Sequence, residues 1–249
     1  MPAEGELTKL NAREFAERFR QEMVPLSNTF AYFAALPLTE EDTKEYLEEP
    51  VAALPPAIHS GLPRISIVLV PYLEKPSGKE AERVTFDKPD PKCQVWGTQF
   101  MSEGEGILLL AIKDQQAADY HYVFYRAIAT LLADRLAAEA QGRYFGLLRE
   151  ELRNRVHGEV DQRGWELKQT LQRRQSEVRR ETKLFREYAR QSLIDTLTLY
   201  LHGICCDIDV ETGPRQLASR YLRKRLQFLH EVFPPPQGYA VFPEELNKA

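Results

Sequence analysis

Two short, unbroken apolar runs, ISIVLV at residues 65–70 and ILLLAI at residues 107–112, constrain this chain more than any other feature. A bilayer-spanning helix needs about 20 apolar residues, so neither run can cross a membrane. The first lies in RISIVLVPYLE (64–74), which is β-branched and does not alternate with polar residues, so it predicts a strand covered on both faces. KCQVWGTQFM (92–101) is a second strand, EGEG a turn, and 107–112 a third strand, which makes the last two an antiparallel hairpin. Residues 75–91 hold Pro, Gly, Lys and Asp without periodicity and read as a surface loop.

Around these strands the period is helical. Residues 11–35 read as a helix with Phe15, Phe19 and Met23 four apart, Asn11 and Glu14 forming a capping box, and Pro25 ending or kinking it. Residues 39–48 form a short acidic helix, and 50–63, rich in proline, an extended connector. Residues 115–140 are apolar on most sides and predict a central buried helix. Gly142 separates it from a helix over 143–160, with Gly158 and Gly164 at the next break. Residues 165–202 read as one long charged helix with the narrow stripe Leu167, Leu171, Val178, Phe185, in which the last three lie seven apart. A final helix, 214–233, ends at Pro234–Pro236. The expected class is α+β: a small, mostly antiparallel three-stranded sheet packed on the central helix within residues 1–160, then a largely helical part with one long helix over 161–249.

Hydrophobic content of 43% with 28% charged residues excludes wholesale disorder. The net charge of −4 is unevenly spread. Residues 1–60 are acidic (Glu40, Glu41, Asp42, Glu45, Glu48, Glu49), whereas 143–190 and 215–225 are rich in arginine, which suits an intramolecular or subunit contact at least as well as nucleic acid. Three cysteines make no disulfide framework, and no secretory signal is seen in MPAEGELTKLNAREF, so a reducing cytoplasm is the expected compartment and no membrane partner is expected.

The order of strands, hairpin, long buried helix and carboxylate-rich helix, over roughly residues 93–160, resembles the small zincin metallopeptidases of the ImmA/IrrE type. The resemblance implies that VWGTQF…GEGILLLAI is the edge hairpin of a substrate cleft, and that the following helix carries HExxH, two histidines for zinc and a glutamate to polarise its water. Here Arg126, Ala127 and Thr130 stand at those positions. Arginine cannot ligate zinc and alanine cannot act as a base. Glu150, Glu151 or Glu159 fits the carboxylate of the next helix, and Arg126 is expected to pair with one of them. The resemblance therefore implies a pseudoenzyme: a non-catalytic, metallopeptidase-like protein-interaction or regulatory module, without a cofactor. A long helix with so thin an apolar stripe needs a partner surface, so self-association or a protein partner is expected through Leu167, Leu171, Val178 and Phe185.

Two other classes stay open. LHGICCDIDVE gathers His202, Cys205, Cys206, Asp207, Asp209 and Glu211, which could hold zinc or pair a thiol with His202 in a metal- or cysteine-dependent hydrolase, although the spacing matches no metal-site pattern. The bland account makes the cysteines buried small residues beside a helix end. Arginine-rich helices can bind nucleic acid, but these arginines alternate with glutamates at salt-bridge spacing, and a solvated face is the simpler reading. No glycine-rich phosphate loop and no GxSxG elbow are present.

Overall fold

The run predicted as a doubly covered strand is β3 (Ile65–Val70), and all six residues are buried. The structure, a computed structural model, describes residues 10–76, 78, 80–174, 181–206 and 215–241. β3 pairs in parallel with β2 (Phe30–Ala34) on one side and β8 (Glu105–Ala111) on the other. β1 (Val24–Pro25) lies antiparallel to β2, and β7 (Gly97–Ser102) antiparallel to β8, giving a five-stranded mixed sheet in the order β1-β2-β3-β8-β7. A second, three-stranded antiparallel sheet, order β5-β4-β6, consists of β4 (Tyr72–Glu74), β5 (Arg83–Thr85) and β6 (Gln94–Val95). The class is α+β, as expected, and no described helix is long and apolar enough to cross a membrane.

The β7–β8 hairpin forms as predicted. Its turn places Glu103 and Gly104 at φ 48 and 86, the left-handed pair that a two-residue hairpin needs to match strand twist. Elsewhere the sheet is larger than the sequence suggests. The segment 11–35 is not one helix: α1 (Ala12–Arg18), with the expected Asn11–Glu14 capping box, gives way to a 3₁₀ turn (Arg20–Glu22), and FAYFA becomes β2. Its aromatic residues suit either state, and five residue pairs with β3 decide the outcome. Pro71 separates β3 from β4, which go to different sheets, and the 75–91 loop contains β5. The acidic segment is α2 (Glu40–Thr43), a π-helical turn (Lys44–Glu48) and α3 (Glu49–Ala52). The supposed extended connector carries α4 (Pro56–Gly61), with proline at a first-turn position where its missing N–H costs nothing.

The chain divides into two compact units, Met1–Ala52 with Leu62–Ala127, and Ala53–Gly61 with Ile128–Ala249. The division falls inside α5 (Ala117–Ala133), upstream of the boundary read from the sequence at residue 160. In the sheet-bearing unit, period-2 side-chain placement explains the two-sided burial. Val68, Val70, Ile107, Leu109 and Ala111 share one cluster with Phe15 and Phe19 of α1 and with Leu73 and Val84 of the smaller sheet. On the opposite face the first half of α5 comes so close that a Cβ on Gly97 would stand 2.7 Å from Val123 and 2.9 Å from Leu110.

The second unit is helical: α6 (Ala138–Arg153), α7 (Gln162–Arg173), α8 (Lys183–Cys205) and α9 (Ser219–Val232), with α4 and the end of α5. Gly142 lies inside α6 rather than before it. The single long helix expected over 165–202 is instead α7 and α8, which pack on each other, the second starting at a Thr182 cap. That packing buries Leu167, Leu171 and Phe185 at 7%, 0% and 0% exposure, so the stripe read as a self-association surface is covered within its own unit. Val178 lies outside the described residues.

Candidate functional site: a buried arginine clamp

Helical spacing places charges on faces that should be apolar. On α6 the buried residues are Tyr144, Phe145, Leu148, Glu151 and Leu152, so Glu151 occupies a core position. On α9 they are Leu222, Arg225, Phe228 and Leu229, and on α7 Gly164, Leu167, Lys168 and Leu171. α8 adds a polar stripe of Tyr188, Ser192, Asp195 and Thr196. The segment between α6 and α7 contributes Glu159. Its chain path is fixed by Gly158 at φ 81, where a Cβ would stand 2.1 Å from the carbonyl oxygen of Gln216.

These groups converge on Arg225, whose side chain is fully buried. It donates from Nε to Glu151 Oε1 at 3.0 Å and from Nη2 to Glu151 Oε2 at 2.5 Å. It also donates from Nη1 to Glu159 Oε2 at 2.8 Å, from Nη2 to Glu159 Oε1 at 2.9 Å, and from Nη1 to Ser192 Oγ at 2.8 Å. A guanidinium has five N–H donors, and five acceptors meet them. Lys168 Nζ donates to Glu159 Oε1 at 3.0 Å and to the Gly158 carbonyl at 2.8 Å, and Tyr188 donates to Glu159 Oε1 at 2.5 Å. Ser192 continues through Tyr144 to Thr196 at 3.0 and 3.1 Å.

Two cations therefore face two carboxylates with almost no water. Burial alone would raise the carboxyl of Glu159, but the charges of Arg225 and Lys168 and the hydrogen bonds from Arg225 and Tyr188 outweigh it and hold its pKa at about 2. Burial pushes Lys168 down against the opposing pull of Glu159. Burial opposes the charge on Arg225, yet Glu159, with Tyr144 and Tyr188 beside it, holds its proton more tightly than in a free guanidinium. Tyr188 and Tyr144 are raised by burial. A general acid or base works best with a pKa near the operating pH, and Glu159 is held far from it. The cluster is built to fix α6, α7, α8 and α9 together.

The other sequence-derived positions are distributed as follows. Ala127 is buried and Arg126 and Thr130 half-buried on α5. Glu150 is exposed and pairs with Lys224 at 3.1 Å, while the guanidinium that takes Glu151 and Glu159 is that of Arg225. His202, Cys205 and Cys206 are half-buried in the last turn of α8, where the Cys206 N–H donates to the His202 carbonyl at 2.8 Å as an ordinary helical bond. Asp207, Asp209 and Glu211 lie outside the described residues. Arg225 was missed because it sits in the basic run Arg223–Arg225, although its place three after Leu222 and four before Leu229 marks the apolar face.

Comparisons with protein-family models, with curated proteins and with solved structures return no match.

Proposed function

We propose that this chain is a non-catalytic protein-interaction or regulatory module, built on a metallopeptidase-like arrangement that has lost its metal-binding residues. The observation that carries the reading is the arginine clamp. Two carboxylates that a metallopeptidase-like scaffold could turn toward a metal are both engaged by a permanently charged side chain, which uses every donor it has. Arg126, Ala127 and Thr130 supply neither imidazole nor carboxylate at the positions aligned with HExxH. The cysteines are free thiols, which suits a reducing, cytoplasmic setting.

The test is a metal and hydrolysis assay on the full chain. Protein loaded with excess zinc and then desalted should retain well under one equivalent by elemental analysis and should not cleave unstructured casein. Stoichiometric zinc together with phenanthroline-sensitive cleavage would overturn the proposal. Zinc lost in Cys206→Ser would favour the hydrolase reading built on His202, Cys205 and Cys206.

A further inference from the structure

Several cations at the surface of the helical unit have a carboxylate within reach. Arg143 pairs with Glu231, Arg149 with Glu181, Arg163 with Glu187, Arg190 with Asp134 and Lys224 with Glu150. Others, among them Arg135, Arg173, Lys183 and Arg186, have none among the described residues, and one corner brings four such cations together. Arg153, Arg155, Arg215 and Arg220 are exposed and form no ion pair among the described residues. Arg215 reaches only Gln162 and the face of Trp165, and Arg220 only Tyr221.

The four belong to one corner by topology. The pairs Arg143–Glu231, Glu150–Lys224 and Glu151–Arg225 show that α6 and α9 run antiparallel, so the end of α6 meets the start of α9. There Val156 packs with Leu217 and Leu222, and Glu159 exchanges backbone hydrogen bonds with Arg215 and Leu217. Arginines flank each of these contacts. Four guanidiniums without an ion pair among the described residues repel one another, and carboxylates held in fork geometry are what they bind well.

The sheet-bearing unit carries the complement. On α2, the π turn and α3, Glu40, Glu41 and Glu48 are exposed and form no ion pair among the described residues, and only Lys44 offsets them, 3.6 Å from Glu49. We propose that the chain self-associates by docking this acidic face of one copy onto the arginine corner of a second copy. The proposal rests on the interaction-module reading and replaces the buried Leu167–Leu171–Phe185 stripe with a surface that solvent reaches. An interface of this kind is driven by charge, so it weakens as salt screens it.

Sedimentation velocity on the full chain, at about 50 μM in about 50 mM and about 500 mM NaCl, tests it. The expected result is a dimer or larger species in low salt that dissociates in high salt. The triple variant Arg153→Glu/Arg155→Glu/Arg220→Glu and the triple variant Glu40→Lys/Glu41→Lys/Glu48→Lys should each associate at least about tenfold more weakly. An equimolar mixture of the two should associate again, which misfolding could not produce. A monomer at both salt concentrations, association indifferent to both variants, or a mixture that stays monomeric overturns the proposal. So does a monomer whose arginine corner instead retains a labelled single-stranded oligonucleotide. None of these outcomes moves the zinc and casein assay, so loss of self-association and loss of the non-catalytic reading are separable.

Discussion

Six consecutive residues of β3 are buried, and Ser66 is the one polar side chain among them; the buried faces of α6 to α9 carry Glu151, Lys168, Ser192, Asp195, Thr196 and Arg225. The sheet-bearing unit is stabilised by apolar area, which is non-directional and indifferent to pH. The helical unit spends part of its interior on charges whose desolvation is costly, and gains because all five donors of Arg225 meet carboxylate or hydroxyl oxygens. Apolar faces tolerate small slips of one helix against another. A five-donor fork seated on two carboxylates does not, so the clamp ties α6, α9 and the Gly158–Glu159 segment to one register.

The contrast breaks most sharply at Arg225. Arg225→Met leaves two buried carboxylates facing each other and should cost about 3–5 kcal/mol. Hydrogen exchange by mass spectrometry should show the lost protection concentrated in α6 to α9, with β3 and β8 retaining theirs. In the other unit, Leu109→Ala opens a cavity in the sheet core and should cost about 3 kcal/mol in urea melts, by the same amount at pH 7 and pH 4. The helical unit should instead respond to acid. The folded pKa of Glu159 is depressed to about 2 from an ordinary 4.5, so its contribution is complete above 4.5 and is lost as the pH falls toward 2. The difference corresponds to about 3 kcal/mol, and the acid limb of stability should flatten in Glu159→Gln. The smallest effect is local: Asn11→Ala removes the cap of α1 and should cost about 1 kcal/mol by thermal melts.

How far the sequence could be followed differs between the units for the same physical reason. Where a run was uniformly apolar, as in β3 and β8, the strand was legible, and the turn chemistry at Glu103–Gly104 also gave the β7–β8 partner. The parallel pairing of β3 with β2 and β8 was not legible, because it joins segments distant in sequence. Nor was FAYFA, because aromatic residues serve helix and strand alike and only the distant β3 decides between them. The α7–α8 pair looked like one helix because its charged residues keep a helical period up to and beyond the Thr182 cap. In the clamp, Glu151 and Glu159 were recognised as the carboxylates of interest, but their cation was sought on the helix aligned with HExxH. Arg225 was grouped with its basic neighbours, and Lys168 and Tyr188 passed as part of a charged helix. A charge standing at an apolar-face position was the signal available at Glu151, Lys168 and Arg225 alike.

NMR titration of the Glu159 side-chain carboxyl, read alongside exchange of the Arg225 guanidinium protons, tests most directly whether this cluster is a closed clamp or a working site. A clamp predicts a midpoint near 2 with guanidinium protons that exchange slowly at neutral pH. A midpoint near 4.5 with rapidly exchanging guanidinium protons would mean that water and small ligands reach the carboxylates, and would contradict the account.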